Sequence, residues 1–277
     1  MKEKTFEFPD GWEEVTPEEW KYLLYLCHVA SIQYMTLEDI KRSWCNRVVI
    51  MREKGVRKGE SYLLLIDQLA NTLDWMFARH ENPLLIDLTY TSTVNLLPEW
   101  MGLVGPMDHG ADLTFGEFHH AVTAFNAYTR DHDPEDLISL VAILYRTTIK
   151  RGHRKVRRPF NPDEIDENRS RVRDKMPEWI QWGVYAWFAS FCQYLYTGVF
   201  LIEGNEVSFA PIFSRQSGQT DTGGYNLGMN SIRFTVADSG VFGTADRVDE
   251  TPLLQVMLKL LDDKQRADEM TKNIKTK

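Results

Sequence analysis

Apolar residues recur at helical spacing along most of the chain, and start signals stand before many of the runs. Thr16-Pro17-Glu18-Glu19 is a capping box with proline at the first helical position. Beyond it Trp20, Leu23, Leu24, Cys27 and Ile32 fall on one face. Thr36-Leu37-Glu38-Asp39 opens a second helix carrying Ile40, Trp44, Val48 and Met51. Ser61 to Arg79 reads as a third, with Leu64, Gln68, Trp75 and Phe77, ended by Asn82-Pro83. Thr114-Phe115-Gly116-Glu117 starts a helix with Phe118, Val122, Phe125 and Tyr128 along one side. Asp133-Pro134-Glu135-Asp136 caps the next, which runs through Leu137, Leu140, Val141 and Leu144 toward Thr148. The short connection between these two predicts an antiparallel hairpin. Asn161-Pro162 begins a charged helix ending near Pro177, and Leu227 to Asp238 forms a short helix closed by Ser239-Gly240. Asp249-Glu250-Thr251-Pro252 caps a last helix with Leu253, Leu254, Met257, Leu258 and Leu261.

One stretch breaks the amphipathic rule. Trp179 to Ile202 holds 24 residues without a formal charge, nine of them aromatic, directly after Pro177-Glu178. Its length would cross a bilayer, yet Gln181 and Gln193 interrupt it and its aromatics run throughout. In a spanning helix they gather at the two ends. A helix apolar all round and buried at the centre of a soluble protein is therefore the favoured reading. Strand-like composition is confined to Thr5–Phe8, Leu84–Val94 and Val207–Phe213. Pro98 to Leu113 reads as loop, Arg52 to Glu60 as a charged turn, and Ser214 to Gly224 as the loosest connection. The expected fold is mainly α: a multi-helix globular protein around the aromatic-rich helix 178–202, with a few short β-strands. A helical region 1–80, a strand and loop connection 81–113 and a helical region 114–277 are expected to share one continuous core.

Composition narrows the function classes. A net charge of -8 and a pI near 5.4 argue against a general nucleic-acid or membrane-surface binder. The three cysteines, Cys27, Cys45 and Cys192, show no CxxC spacing and read as reduced thiols of a cytosolic protein. The first residues lack the apolar core of a secretory signal, so none is expected there.

Candidate chemistry is sparse. Glu117-x-x-His120 has the spacing of half a di-iron site, but a second such pair is missing from the sequence. His109, Asp112 and His119 nearby make a mononuclear metal site conceivable. The plainer reading gives Glu117 to the capping box and leaves the histidines to packing or solvent. Ser217-Gly218-Gln219 and Gly223-Gly224 lack the lysine and spacing of a phosphate loop. Cys27-His28 would point about 100° apart on a helix, so it makes no nucleophile–base pair by itself. We therefore expect no catalytic residue, metal or cofactor. A small metal- or nucleotide-dependent enzyme built on 105–120 is the alternative. The densest charge is Lys150 to Arg158, with Lys150, Arg151, Arg154, Lys155, Arg157 and Arg158 as candidate partner-binding residues. Either these cations meet an acidic partner, or they are solvated or pair in cis with Asp163, Glu164, Asp166 and Glu167. Nucleic acid is disfavoured, because no aromatic interleaves them as a stacking platform.

Several stretches together resemble the tail assembly chaperone-like proteins encoded in phage tail-gene neighbourhoods. They are FEFPDGWEEVTPEEWKYLLYL, TFGEFHHAVTAFNAYTRDHDPEDLISLVAILYRT, PFNPDEIDENRSRV, the apolar helix and SGVFGTADRVDETPLLQVMLKLL, covering roughly half the chain as order and texture. The resemblance implies a non-enzymatic helper in the bacterial host cytoplasm that binds a tail protein, the tape measure or tail tube, and no nucleic acid or membrane. The chain departs from that family in its length and its eight tryptophans. A structural component kept in the virion is a further alternative.

Overall fold

Local start signals set the helix boundaries. In the computed structural model, which describes residues 7–33, 35–53, 59–80, 86–213 and 229–275, the first helix α1 spans Pro17–Gln33. Thr16 and Glu19 close the capping box, the Thr16 amide donating to Glu19 at 2.9 Å. The box on Thr36 and Asp39 opens α2, Leu37–Arg52. The third helix α3, Glu60–Ala70, is shorter than its apolar pattern predicts and is followed by a 3-10 turn at Leu73–Met76. Leu64 there is exposed, as is Ile32 at the end of α1.

The segment 84–94 forms no strand over its described part, 86–94; Leu88 makes a single bridge with Phe77. Two backbone bonds, Ala78 to Asp87 and Thr89 to Met76, pair it with the end of the preceding turn. No longer ladder extends them. Tyr90 instead joins a ring cluster. Trp12 lies edge-on to Trp20 and Trp75, each 5.2 Å away, and Tyr90 packs 4.9 Å from Trp12. Trp12 also donates its indole N–H to Thr89 O at 2.8 Å. Residues 7–8 of the segment 5–8 are likewise not in a strand.

Two short strands, β1 (Glu99–Trp100) and β2 (Leu103–Val104), then make an antiparallel ribbon before α4, Phe115–Asp131. Helix α4 packs against α5, Pro134–Leu144, as the short connection predicts. The basic run forms a ribbon of β3 (Thr148–Arg151) and β4 (Arg154–Arg157). After it α6, Ile165–Lys175, is tied to α5 by Arg169 and Arg173, which both reach Glu135.

The aromatic helix α7 runs Glu178–Thr197 and stops before 202. Val199 to Ile202 turn back as strand β5 against β6, Asn205–Ser208. A Cβ at Gly198 would stand 2.5 Å from the Tyr194 ring, and Tyr194 donates to Val199 O. Gly198 thus lets the chain fold back over its own last turn. Burial of α7 is one-sided more than all-round. Ile180, Val184, Trp187, Phe188, Phe191 and Leu195 are buried, whereas Trp179, Trp182 and Tyr194 are half-buried and Gln193 is exposed. Gly183 seats α7 on α1, since a Cβ there would lie 2.5 Å from Leu24.

The segment 207–213 is mixed: β6 ends at Ser208 and a short helix α8 follows, Ala210–Phe213. The loop expected at 214–224 lies outside the described residues. Three helices complete the fold: α9 (Met229–Asp238), α10 (Ala245–Glu250) and α11 (Leu253–Lys275). The joint between the last two is held to the start of α4 by Phe115 N to Thr251 O and Leu253 N to Leu113 O, both 2.9 Å. The architecture is mainly α, and buried residues from 12 to 261 join a single core. No described helix is long and apolar enough to cross a membrane.

Candidate functional site

Helix α5 ends where Tyr145 turns extended, which sends Arg146 into a bridge with Val104. From there the chain rises as β3, turns at Gly152 and His153, and returns as β4. Gly152 has φ +60, at the first of two loop residues, where a primed hairpin turn asks for glycine. The register sets Lys150 opposite Lys155 and Arg151 opposite Arg154. Like charges facing each other across a ladder destabilise it, so the ribbon is held from its root.

The root is a buried cluster of two guanidinium groups and two carboxylates. Arg157 reaches Asp112 at 2.9 Å and donates to Glu117 and, at 2.8 Å, to Leu144 O. Arg146 meets Glu117 at 2.8 Å, and donates to Ile143 O and, at 2.8 Å, to Arg158 O. The side chains of Glu117, Arg146 and Arg157 are 1%, 3% and 5% exposed. Burial pushes Arg146 below the ordinary arginine range, opposed by the Glu117 carboxylate. Phe160 caps the cluster, with the Arg146 guanidinium 5.7 Å from its ring centre.

The basic run is therefore not one surface patch. Arg157 belongs to the core because Glu117 and Asp112, far away in sequence, need a charged partner there. Arg158 is half-exposed and pairs with Glu164 at 3.0 Å. Lys150, Arg151, Arg154 and Lys155 stand exposed without a carboxylate partner among the described residues. Of the acids expected to pair in cis, only Glu164 does so. Asp166 and Glu167 bond Arg169 and Arg171 within α6.

Glu117 also differs from its expected role. The Thr114 hydroxyl caps the Glu117 amide at 3.3 Å, but the Glu117 side chain turns inward to the guanidinium groups. That orientation removes the carboxylate from the Glu117-x-x-His120 pairing. His109 Nδ1 lies 2.6 Å from the Thr93 hydroxyl, His119 stacks on Phe115, and His120 packs on Phe160. Among the described residues no three His, Cys, Asp or Glu side chains are grouped to hold a metal ion. Cys27, Cys45 and Cys192 are free thiols. Burial pushes Cys27 and Cys45 up to about 12, which disfavours the nucleophilic thiolate.

His119 and His120 sit where α4 meets α10, and burial holds both below the ordinary imidazole value. His120 lowers His119 further, Asp249 pulls both upward, and Arg233 pushes both down. Histidines with depressed folded values bind more protons when unfolded, so stability rises with pH across that interval. Their contribution is complete above the unfolded value of about 6.5 and is lost as pH falls below it. Thermal melts should show a falling midpoint between about pH 7.5 and about pH 5.5. The double substitution His119→Asn, His120→Asn should flatten that slope; an unchanged slope would assign it to other groups.

The hairpin root, residues 104–107 and α10 enclose an open cleft of about 1050 Å³. Arg146, Arg157 and Glu117 form its floor, and Arg151 and Lys155 reach it from the ribbon. No family model, no curated protein and no solved structure matches the chain.

Proposed function

We propose that this chain is a non-enzymatic, protein-binding helper of phage tail morphogenesis in the bacterial host cytoplasm. Its partner is a tail protein such as the tape measure or tail tube, engaged through the β3–β4 ribbon. The observation that carries the binding reading is the division of the basic run. Arg157 and Arg158 have carboxylate partners, while Lys150, Arg151, Arg154 and Lys155 are held opposite one another with none among the described residues. That arrangement disfavours the ribbon itself and suits an acidic partner, whose charges would relieve it. The tail-morphogenesis part rests on the likeness of the stretches named above to tail assembly chaperone-like proteins.

The test is association kinetics with a tape-measure protein, which this reading expects to be encoded beside this gene. Exposed charges at an interface rim act mainly on the association rate and its salt dependence. Replacing Lys150, Arg151, Arg154 and Lys155 with serine should slow capture about tenfold or more at low salt and flatten its salt dependence. Thermal stability should hold or rise slightly, since opposed like charges are removed. An unchanged association rate would refute the role of the ribbon, and no association at all would refute the proposed partner.

A further inference from the structure

The cleft beneath the ribbon has a chemistry of its own. Five carboxylates line it, and each touches a guanidinium group, Asp246 and Asp249 sharing one while Asp249 Oδ1 stays without a hydrogen-bond partner. Asp112 and Glu117 are held by Arg157 and Arg146, Asp246 and Asp249 by Arg233, and Glu250 by Arg247. Arg158, also in the lining, is taken by Glu164. The cations of the lining without a carboxylate partner among the described residues are Arg151 and Lys155, on its ribbon side. The lining also holds the apolar side chains of Val104, Met107, Val156, Pro159 and Phe160. Met107 presents its side chain to solvent.

From this pairing we infer that the cleft is a docking site for an acidic peptide segment carrying aliphatic side chains. Its carboxylates meet Arg151 and Lys155, and its apolar side chains cover Met107, Val156 and Pro159. Charge complementarity selects this occupant over others. A free phosphate would find the buried guanidinium groups already saturated by Glu117 and Asp112. For a nucleic acid, Phe160 is engaged by Arg146 and His120 and so offers no free stacking face. The inference rests on the protein-binding reading above and adds where on the chain the partner sits and what kind of segment is held.

The experiment uses fluorescence anisotropy of the full chain with short fluorescein-labelled peptides of alternating residues. A glutamate–leucine peptide is the probe. Lysine–leucine and glutamate–serine peptides and an oligothymidine are the comparators. We expect the glutamate–leucine peptide to bind best, with salt weakening it. Affinity should fall about tenfold or more in Arg151→Glu with Lys155→Glu, and also in Met107→Asp, because charge and apolar contacts both contribute. All three positions are exposed or at the rim, so melting curves of these variants should show no loss of stability against the parent. A photo-crosslinking leucine analogue in the probe should label residues within 104–107 and 155–160, which needs no variant.

Equal binding of the lysine–leucine peptide, or crosslinks confined elsewhere, overturns the inference. Tighter binding of oligothymidine that displaces the peptide overturns it in favour of nucleic acid. A dimer in sedimentation that Met107→Asp dissolves overturns it in favour of a second copy. Tape-measure capture that Met107→Asp leaves untouched overturns the cleft while the binding role of the ribbon stands. Peptide binding without tape-measure capture refutes the named partner while the cleft stands.

Discussion

Replacing Glu117 with alanine is expected to lower the free energy of unfolding by about 3–5 kcal/mol, because it leaves the buried Arg146 without a counter-ion beside a second guanidinium group. Arg146 and Arg157 both take Glu117 Oε1 as acceptor. With all three side chains almost wholly enclosed, little solvent screening moderates the loss. Arg157 would retain Asp112, which is partly exposed, and Arg146 would retain only carbonyl acceptors. Glu117→Gln keeps one acceptor oxygen and the side-chain volume, so it should lose less. Urea denaturation of the three proteins measures the series. A loss under about 1 kcal/mol for Glu117→Ala would mean the cluster is solvated and not part of the core.

The second large effect lies at the centre of α7. Trp187 and Phe191 stack with ring centres 5.6 Å apart and planes 9° from parallel. Trp187 is 2% exposed and Phe191 is fully covered, and the Trp187 indole donates to Thr93 O at 3.1 Å. The fold also makes room for Phe191 elsewhere, since a Cβ at Gly110 would lie 2.6 Å from its ring. Truncating either aromatic to alanine should cost about 3–5 kcal/mol in chemical denaturation. Because the two rings touch, the double variant should lose less than the sum of the singles. Losses below about 1 kcal/mol for both would place this face outside the core.

The helix starts were legible because their causes are local. Thr36 with Asp39 and Asp133 before Pro134 each cap within three residues, and both caps are present, whereas Asn161 before Pro162 caps a 3-10 turn at Pro162–Glu164 that leads into α6. The end of α7 was legible in principle. Gly198 interrupts the aromatic run, but an unbroken lack of charge concealed the turn into β5. The segment 84–94 misled for a different reason. Its β-branched residues satisfy a strand's propensity, but a strand needs a partner, and partners are not written locally.

The site was half-legible for that same reason. The density of Lys150 to Arg158 is plain in the sequence, and four of its members stand exposed. Arg157 does not, because its partners Glu117 and Asp112 lie some forty residues upstream. Arg146 stands outside the run, and no local pattern marks it. Glu117 had a sufficient local explanation in the capping box of Thr114, and that concealed its second task. A capping-box glutamate followed by an arginine at the end of the next helix was the available signal.

The account turns on one division within nine residues: Arg157 anchors the ribbon, and four exposed cations are presented by it. Equilibrium urea denaturation of Arg157→Ser beside the variant with serine at 150, 151, 154 and 155 tests this directly. Arg157→Ser should lose about 3 kcal/mol or more, as expected for a broken buried ion pair. The fourfold variant should stay within about 0.5 kcal/mol of the parent or gain slightly. A fourfold variant that loses several kcal/mol while Arg157→Ser loses almost none would contradict the account, because the exposed cations would then be the structural ones.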